Sequence, residues 1–205
     1  MVIIAFWDNY LCERGTSVAL FDYAYYNETL LKNKSIVIYN KNNKYNVNII
    51  VEKFEKYFNV YGVTDFSEVD NILIKNKCDM LYVIKYGNYD KKYSTVCKTV
   101  IHCVFTCNEP HGDIYASISP IVNGYKSIYP CVPHMINLPN IDSNLRSMLN
   151  ISNDAIVYGR YGGKTTFDID YVHKCIYDIA QKRKDIYFVF ANTNIFCPHL
   201  KNIIH

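Results

Sequence analysis

Short apolar runs without polar interruption alternate along this chain with longer stretches whose apolar residues recur at helical spacing, and that alternation constrains the fold most. Val2 to Phe6 is the first run, of the kind found in a strand covered on both faces of a parallel sheet. A loop from Trp7 to Arg14 leads to Gly15 and a helix with Ala19, Leu20, Ala24 and Leu31 on one face, for which Thr16 or Ser17 is the expected N-cap. Ser35 to Tyr39, with β-branched Ile36, Val37 and Ile38, is the second strand. Val47, Ile50, Val51, Phe54 and Phe58 then fall at helical spacing, and Asn59 to Val63 is a short strand. Thr64 and Asp65 cap a helix with Phe66, Val69, Ile72 and Leu73 inward, Asp65 and Glu68 resembling a capping box. Met80 to Ile84, Thr99 to Val104 and Ile114 to Ser119 complete six strands. This order predicts an α/β fold, a Rossmann-like doubly wound parallel sheet.

Four of the six prolines (Pro120, Pro130, Pro133 and Pro139) interrupt the pattern before Asn140, in a stretch that can continue neither a helix nor a central strand. The expected domains are therefore 1–140 and 141–205. The second has a short helix (Asn144 to Leu149), a strand (Ala155 to Tyr158), a turn at Gly159, Gly162 and Gly163, and a helix with Ile169, Val172, Ile176 and Ile179 on one face. A strand from Ile186 to Ala191 closes this incomplete Rossmann-like βαβ unit, which cannot bury both sheet faces alone. It either extends the first sheet or begins a domain that the chain does not finish.

With half of its 205 residues hydrophobic and 20% charged, the chain is too apolar to be mainly disordered. A net charge of +3, spread as −3 over residues 1–31, +5 over 32–98 and +1 over the rest, does not call for a polyanion. The many tyrosines lack the basic stripe of a nucleic-acid site, so no nucleic-acid partner is expected. No apolar run approaches the ~18 residues of a membrane span, and Met1 to Trp7 is too brief for a signal-peptide core. A cytoplasmic protein follows, in which the eight cysteines are expected as buried thiols. His102, Cys103, Cys107 and His111 are of zinc-binding types, but adjacent His102 and Cys103 on a strand point to opposite faces, so no metal is expected.

Three loops carry chemistry. Cys12 to Ser17 holds Glu13, Arg14, Gly15 and Thr16 between the first strand and first helix, where a glycine lets helix-terminal amides approach a phosphate. A plain tight turn is the alternative, and the single glycine disfavours the three-glycine dinucleotide fingerprint. The segment Tyr158-Gly159-Arg160-Tyr161-Gly162-Gly163-Lys164-Thr165 joins glycines, a fixed cation and a threonine that would cap the next helix, which suits a diphosphate or a structural turn. Asn108 to Asp113 places His111 on a polar loop, able to orient a hydroxyl or take a proton, or simply part of a turn closed by Pro110 and Gly112.

These loops belong to a collinear set of blocks. Phe6-Trp7-Asp8-Asn9 with Arg14-Gly15-Thr16, Asp22-Tyr23-Ala24, Tyr26-Asn27-Glu28 and Asn33-Lys34-Ser35 form the first group. Pro110-His111-Gly112-Asp113 with Tyr115-Ala116, Val132-Pro133-His134, and Gly159-Arg160-Tyr161-Gly162-Gly163 with Thr166-Phe167-Asp168-Ile169 form the second. Together they resemble nucleotide-sugar-dependent glycosyltransferases of the two-domain GT-B architecture. The resemblance implies an acceptor-side N-terminal domain, a donor-binding C-terminal domain, and a nucleotide sugar as co-substrate without a separate cofactor. It sets Gly15 and Thr16 beside the donor phosphates and transferred sugar, and Arg160, Gly162, Gly163 and Lys164 on the diphosphate. His111 is its catalytic candidate, with Asn9, Arg14 and Asp113 on the side of a glycan or other hydroxyl acceptor.

Similar transferases continue for well over a hundred residues beyond the position of His205. The expectation is a truncated transferase, impaired or inactive alone, or completed by a second subunit. The alternative is a non-enzymatic module that binds a glycan or a partner.

Overall fold

The first apolar run forms β1 (Ile3–Asp8), and its neighbours follow in chain order as β2 (Lys34–Asn40), β3 (Asn59–Val63), β4 (Met80–Lys85), β5 (Lys98–Cys103) and β6 (Ile114–Ser117). The computed structural model describes residues 1–123, 129–135 and 140–205, so Pro139 lies outside the described residues. Two compact units divide the chain, Met1–Leu138 and Pro139–His205. In the first, six parallel strands stand in the order β3-β2-β1-β4-β5-β6, a Rossmann-like doubly wound sheet.

The uninterrupted runs are explained by burial on both faces. Ala5 and Trp7, Ile36 and Ile38, Leu81 and Val83, and Ile101 and Cys103 pack on one face against Val69 and Leu73 of α3 (Val69–Asn76). Phe6, Val37 and Ile84 pack on the other, against Ala19, Leu20 and Ala24 of α1 (Gly15–Thr29) and Phe54 of α2 (Asn48–Glu55). Alanines on α1 let the helix axis approach the sheet closely. Leu31 is not on that face: α1 stops at Thr29 and Leu31 is 68% exposed. Buried Asn27 instead donates to the Ser35 hydroxyl at 2.9 Å, and Ser35 donates to the Ala24 carbonyl at 2.8 Å, closing a satisfied polar seam between helix and β2.

Two expected caps are rearranged. Arg14 is the N-cap of α1 and makes no side-chain cap bond, because the Ser17 hydroxyl turns to Asp8 at 2.8 Å. Asp65 accepts from the Ser67 amide at 2.9 Å, but Glu68 reaches back to Thr64, and the capped turn is a 3-10 turn (Phe66–Glu68) that precedes α3.

No described helix covers the β4-to-β5 or β5-to-β6 connection. The β4-to-β5 loop is fastened to α3 by Asp70, which accepts from the Ser94 hydroxyl (2.8 Å), the Thr95 amide (3.1 Å) and the Thr95 hydroxyl (2.7 Å). Asp70→Ala is expected to destabilise the first unit by about 1–2 kcal/mol, read as a lower thermal midpoint, since three donors lose one acceptor. Only Cys103 is a buried cysteine. Cys131 and Cys175 are exposed and the other five lie between, which corrects the expectation of buried thiols; all eight are free. No helix is long and apolar enough to cross a membrane among the described residues.

The second unit is a smaller parallel sheet, β7 (Ile156–Tyr161), β8 (Ile186–Ala191) and β9 (Ile203–Ile204), in the order β7-β8-β9. A short α4 (Leu145–Met148) precedes β7, and α5 (Asp170–Lys182) links β7 to β8. Ile176 and Ala180 of α5 bury Ile186, Phe188 and Phe190. Gly159 does not turn the chain. It pairs with Val189, and β7 continues through Arg160. The expected threonine cap on α5 is also absent: its N-cap is Ile169, with no side-chain bond.

Candidate functional site

In the first unit the strand order reverses between β1 and β4, and at their carboxyl ends lies a cavity of about 430 Å³. An open α/β sheet places its ligand crevice there. Gly15 and Thr16 at the N-terminus of α1, Asn9 and Arg14 from the preceding loop, and Lys85, Phe105 and His134 from other elements line it. A Cβ placed on Gly15 would meet nothing within 4 Å, so the helix terminus stands open. The Thr16 hydroxyl is enclosed and makes no hydrogen bond.

The charges are largely committed inward. Asp8, 3% exposed, takes an ion pair from Arg14 and the hydrogen bond from Ser17. Burial nevertheless pushes its carboxyl above the usual range, against the opposing charge of Arg14. Arg14 also donates to the Tyr10 carbonyl at 3.1 Å and lies 3.6 Å over the Tyr10 ring, so it buttresses the loop. Asn9 accepts from Lys92 at 2.7 Å. Lys85 is buried at the end of β4, paired with Asp90 and donating to the Lys92 carbonyl at 3.3 Å.

Lys85 is not among the residues singled out in the sequence, and His134 stands there only within the Val132-Pro133-His134 block, without a role. The carboxyl-end rule applied to the fourth strand points to Lys85. The Val132-Pro133-His134 block holds no information on where its ring goes, because the proline-rich stretch reaches the cavity only through tertiary contacts.

A network of rings and hydroxyls holds His134 in place. Buried His102 donates from Nε2 to the Val132 carbonyl at 2.7 Å and accepts at Nδ1 from the Tyr82 hydroxyl at 2.6 Å. Burial holds His102 down at about 4, so this neutral tautomer persists at neutral pH. With both nitrogens so engaged, its zinc-binding capacity is occupied, and no cluster of three metal-binding side chains occurs among the described residues.

The structure does not bring His111 and Asp113 into the lining of this cavity. The His111 ring packs against Tyr89 and Tyr115, with centroids 5.3 and 5.9 Å away. Nδ1 donates to the Glu109 carbonyl at 2.7 Å, and Nε2 is buried with no partner. Asp113 accepts from the Thr99 amide at 2.7 Å and so fixes the amino-terminal part of β5.

In the second unit Arg160, half-buried near the end of β7, donates to the Thr193 hydroxyl at 2.6 Å and the Thr166 hydroxyl at 2.7 Å. It lies 4.6 Å over the Phe167 ring. No carboxylate pairs with it among the described residues. A Cβ on Gly162 would come within 2.5 Å of the Arg160 guanidinium, so a side chain there would make the guanidinium shift. The Gly163 carbonyl accepts from Thr166 at 2.8 Å, and Lys164 sits exposed beside them. The result is a loop folded around one cation that has hydroxyl acceptors but no counter-charge.

No family model matches the chain, and no curated protein does. Solved structures do. A Staphylococcus aureus MnaA–UDP co-structure aligns with TM-score 0.60 and 11% identity over 100% of this chain and 68% of that one. A Listeria monocytogenes structure described as a UDP-N-acetylglucosamine 2-epimerase aligns with TM-score 0.61 and 8% identity over 98% of this chain and 64% of that one. The chain thus spans about two thirds of each structure's length. What these likenesses establish is the fold, a Rossmann-like α/β arrangement in two parallel sheets.

Proposed function

We propose that this protein binds a nucleoside-diphosphate sugar, with UDP as the nucleotide portion, and that glycosyl transfer is the chemistry it serves. The observation that carries the reading is Arg160, a guanidinium held by Thr166 and Thr193 beside Gly162 and Gly163 with no carboxylate partner. Such a group suits a diphosphate, whose oxygens accept charge-assisted hydrogen bonds and gain charge when the diphosphate leaves. The UDP in the MnaA co-structure supports the choice of nucleotide. In this proposal residues 1–140 serve the acceptor side and residues 141–205 the donor. Gly15 and Thr16 offer the open α1 terminus to the sugar and phosphates, and Lys164 adds positive charge near the diphosphate.

In the transfer step an acceptor hydroxyl oxygen bonds to the anomeric carbon as the bond from that carbon to the diphosphate oxygen breaks. The electron pair leaves with the diphosphate. The hydroxyl proton passes to water, because the one free nitrogen of His111, Nε2, is buried beside Tyr89 and Tyr115 and away from the cavity lining. The test is calorimetric titration of the full chain with UDP and with UDP-N-acetylglucosamine, followed by release of UDP in the presence of hydroxylated acceptors. Binding with acceptor-dependent release is the expected result. Binding without release would support the non-enzymatic reading, and binding of neither would sink the proposal.

A further inference from the structure

Beyond the loops already assigned, one titratable side chain stands on the wall of the first unit's cavity and is held there by an arrangement that serves no other evident end. That residue is His134. The segment around it belongs to neither helix nor sheet, yet its carbonyls are engaged in succession. Pro130 accepts from the Ser117 amide at 3.0 Å, Val132 from His102 at 2.7 Å, and Pro133 from the Tyr23 hydroxyl at 3.1 Å. The Val132 amide donates to the Ser117 carbonyl at 2.7 Å. A buried histidine, itself fixed by Tyr82, and a tyrosine from α1 thus immobilise the two residues immediately before His134. The His134 ring packs 5.2 Å from the His102 ring and 6.0 Å from that of Tyr23.

The same contacts select its tautomer. The single proton of the Tyr23 hydroxyl goes to Pro133, the nearer acceptor, so at the 3.5 Å contact with His134 Nδ1 the tyrosine oxygen accepts. Nδ1 then carries the hydrogen, and Nε2 is a bare acceptor with no hydrogen bond among the described residues. Burial lowers the affinity of this ring for a second proton, which keeps it neutral. A neutral, oriented imidazole nitrogen beside an open helix N-terminus is suited to accept a hydrogen bond from a ligand hydroxyl.

We infer that His134 is a specificity-determining residue that accepts a hydrogen bond at Nε2 from a hydroxyl of the bound sugar, with His102 and Tyr23 as its positioning residues. The inference rests on the nucleotide-sugar reading and concerns the sugar half of the ligand alone. It therefore separates from the phosphate contacts in a binding experiment that compares UDP-N-acetylglucosamine with UDP. His134→Ala is expected to weaken UDP-N-acetylglucosamine about tenfold and leave UDP unchanged. Tyr23→Phe is expected to give a smaller loss of the same selective kind, whereas a merely structural role would weaken both ligands together. In the wild-type chain, where no variant has to fold, the Nε2 nitrogen resonance of His134 is expected to move on adding UDP-N-acetylglucosamine and not on adding UDP. An unchanged affinity difference in His134→Ala, or an unmoved resonance in a chain that binds both ligands, would overturn the inference and leave the nucleotide-sugar reading standing. A wild-type chain that binds neither ligand would overturn both.

Discussion

Arg160→Ala is expected to weaken UDP binding roughly ten- to a hundredfold and to leave uridine binding unchanged, since hydrogen bonds to charged groups contribute about 1.5–3 kcal/mol. The expectation follows from how the side chain is held. Two threonine hydroxyls, from positions 166 and 193, fix the guanidinium without neutralising it, so orientation is settled before a ligand arrives and the full charge remains for phosphate oxygens. Arg160→Lys keeps the charge but cannot engage both hydroxyls with one planar fork, and an intermediate affinity is expected. Calorimetric titration with uridine, UMP and UDP reads all three. Equal UDP affinity in the alanine variant would place the phosphates elsewhere.

The second large effect lies at the floor of the first unit's cavity. Asp90→Ala is expected to cost about 3 kcal/mol in chemical denaturation, because it leaves the Lys85 ammonium buried without its counter-charge. Burial already pulls the Lys85 amine below the ordinary lysine range, opposed by the hydrogen bond and charge of Asp90. Removing that opposition lowers it further. An amine whose folded value lies below its unfolded value near ~10.4 is bound by more protons in the unfolded chain across that interval, so stability rises with pH there. The deficit of Asp90→Ala is therefore expected to be largest near neutrality and to shrink as pH rises toward ~10. A double substitution with Lys85→Met should recover most of the loss. A deficit independent of pH would show that the loop backbone, and not the stranded charge, sets the cost.

Much of the strand pattern was legible because its signals are local. Asn59–Val63 and Ile186–Ala191 are strands with the bounds that their apolar runs indicated, and the other strands differ by a few residues at their ends. A residue run buried on both faces must be apolar throughout, so the parallel sheet writes itself into the sequence. Caps were less legible. Ser17 has the chemistry of an N-cap, but a buried carboxylate at Asp8 competes for its hydroxyl and wins. Gly159 suggested a turn by its residue type, yet pairing with Val189 keeps it in β7.

The candidate site divides along the same line. The sequence by itself determined that Gly15 and Thr16 come soon after the first strand and that Arg160 stands near the end of a later one, which is the end of the sheet where open α/β folds have their crevice. Only the tertiary structure decided how the side chains there are used. Arg14 is turned inward onto Asp8 and Tyr10, while Arg160 keeps its charge beside hydroxyls. Asn9 meets Lys92 across 83 residues, and Tyr23 meets Pro133 across 110. Periodicity records which face of an element is buried, within a few turns of chain. It holds no information about which distant polar group will satisfy another once both lose water, and that pairing is what assembles a site.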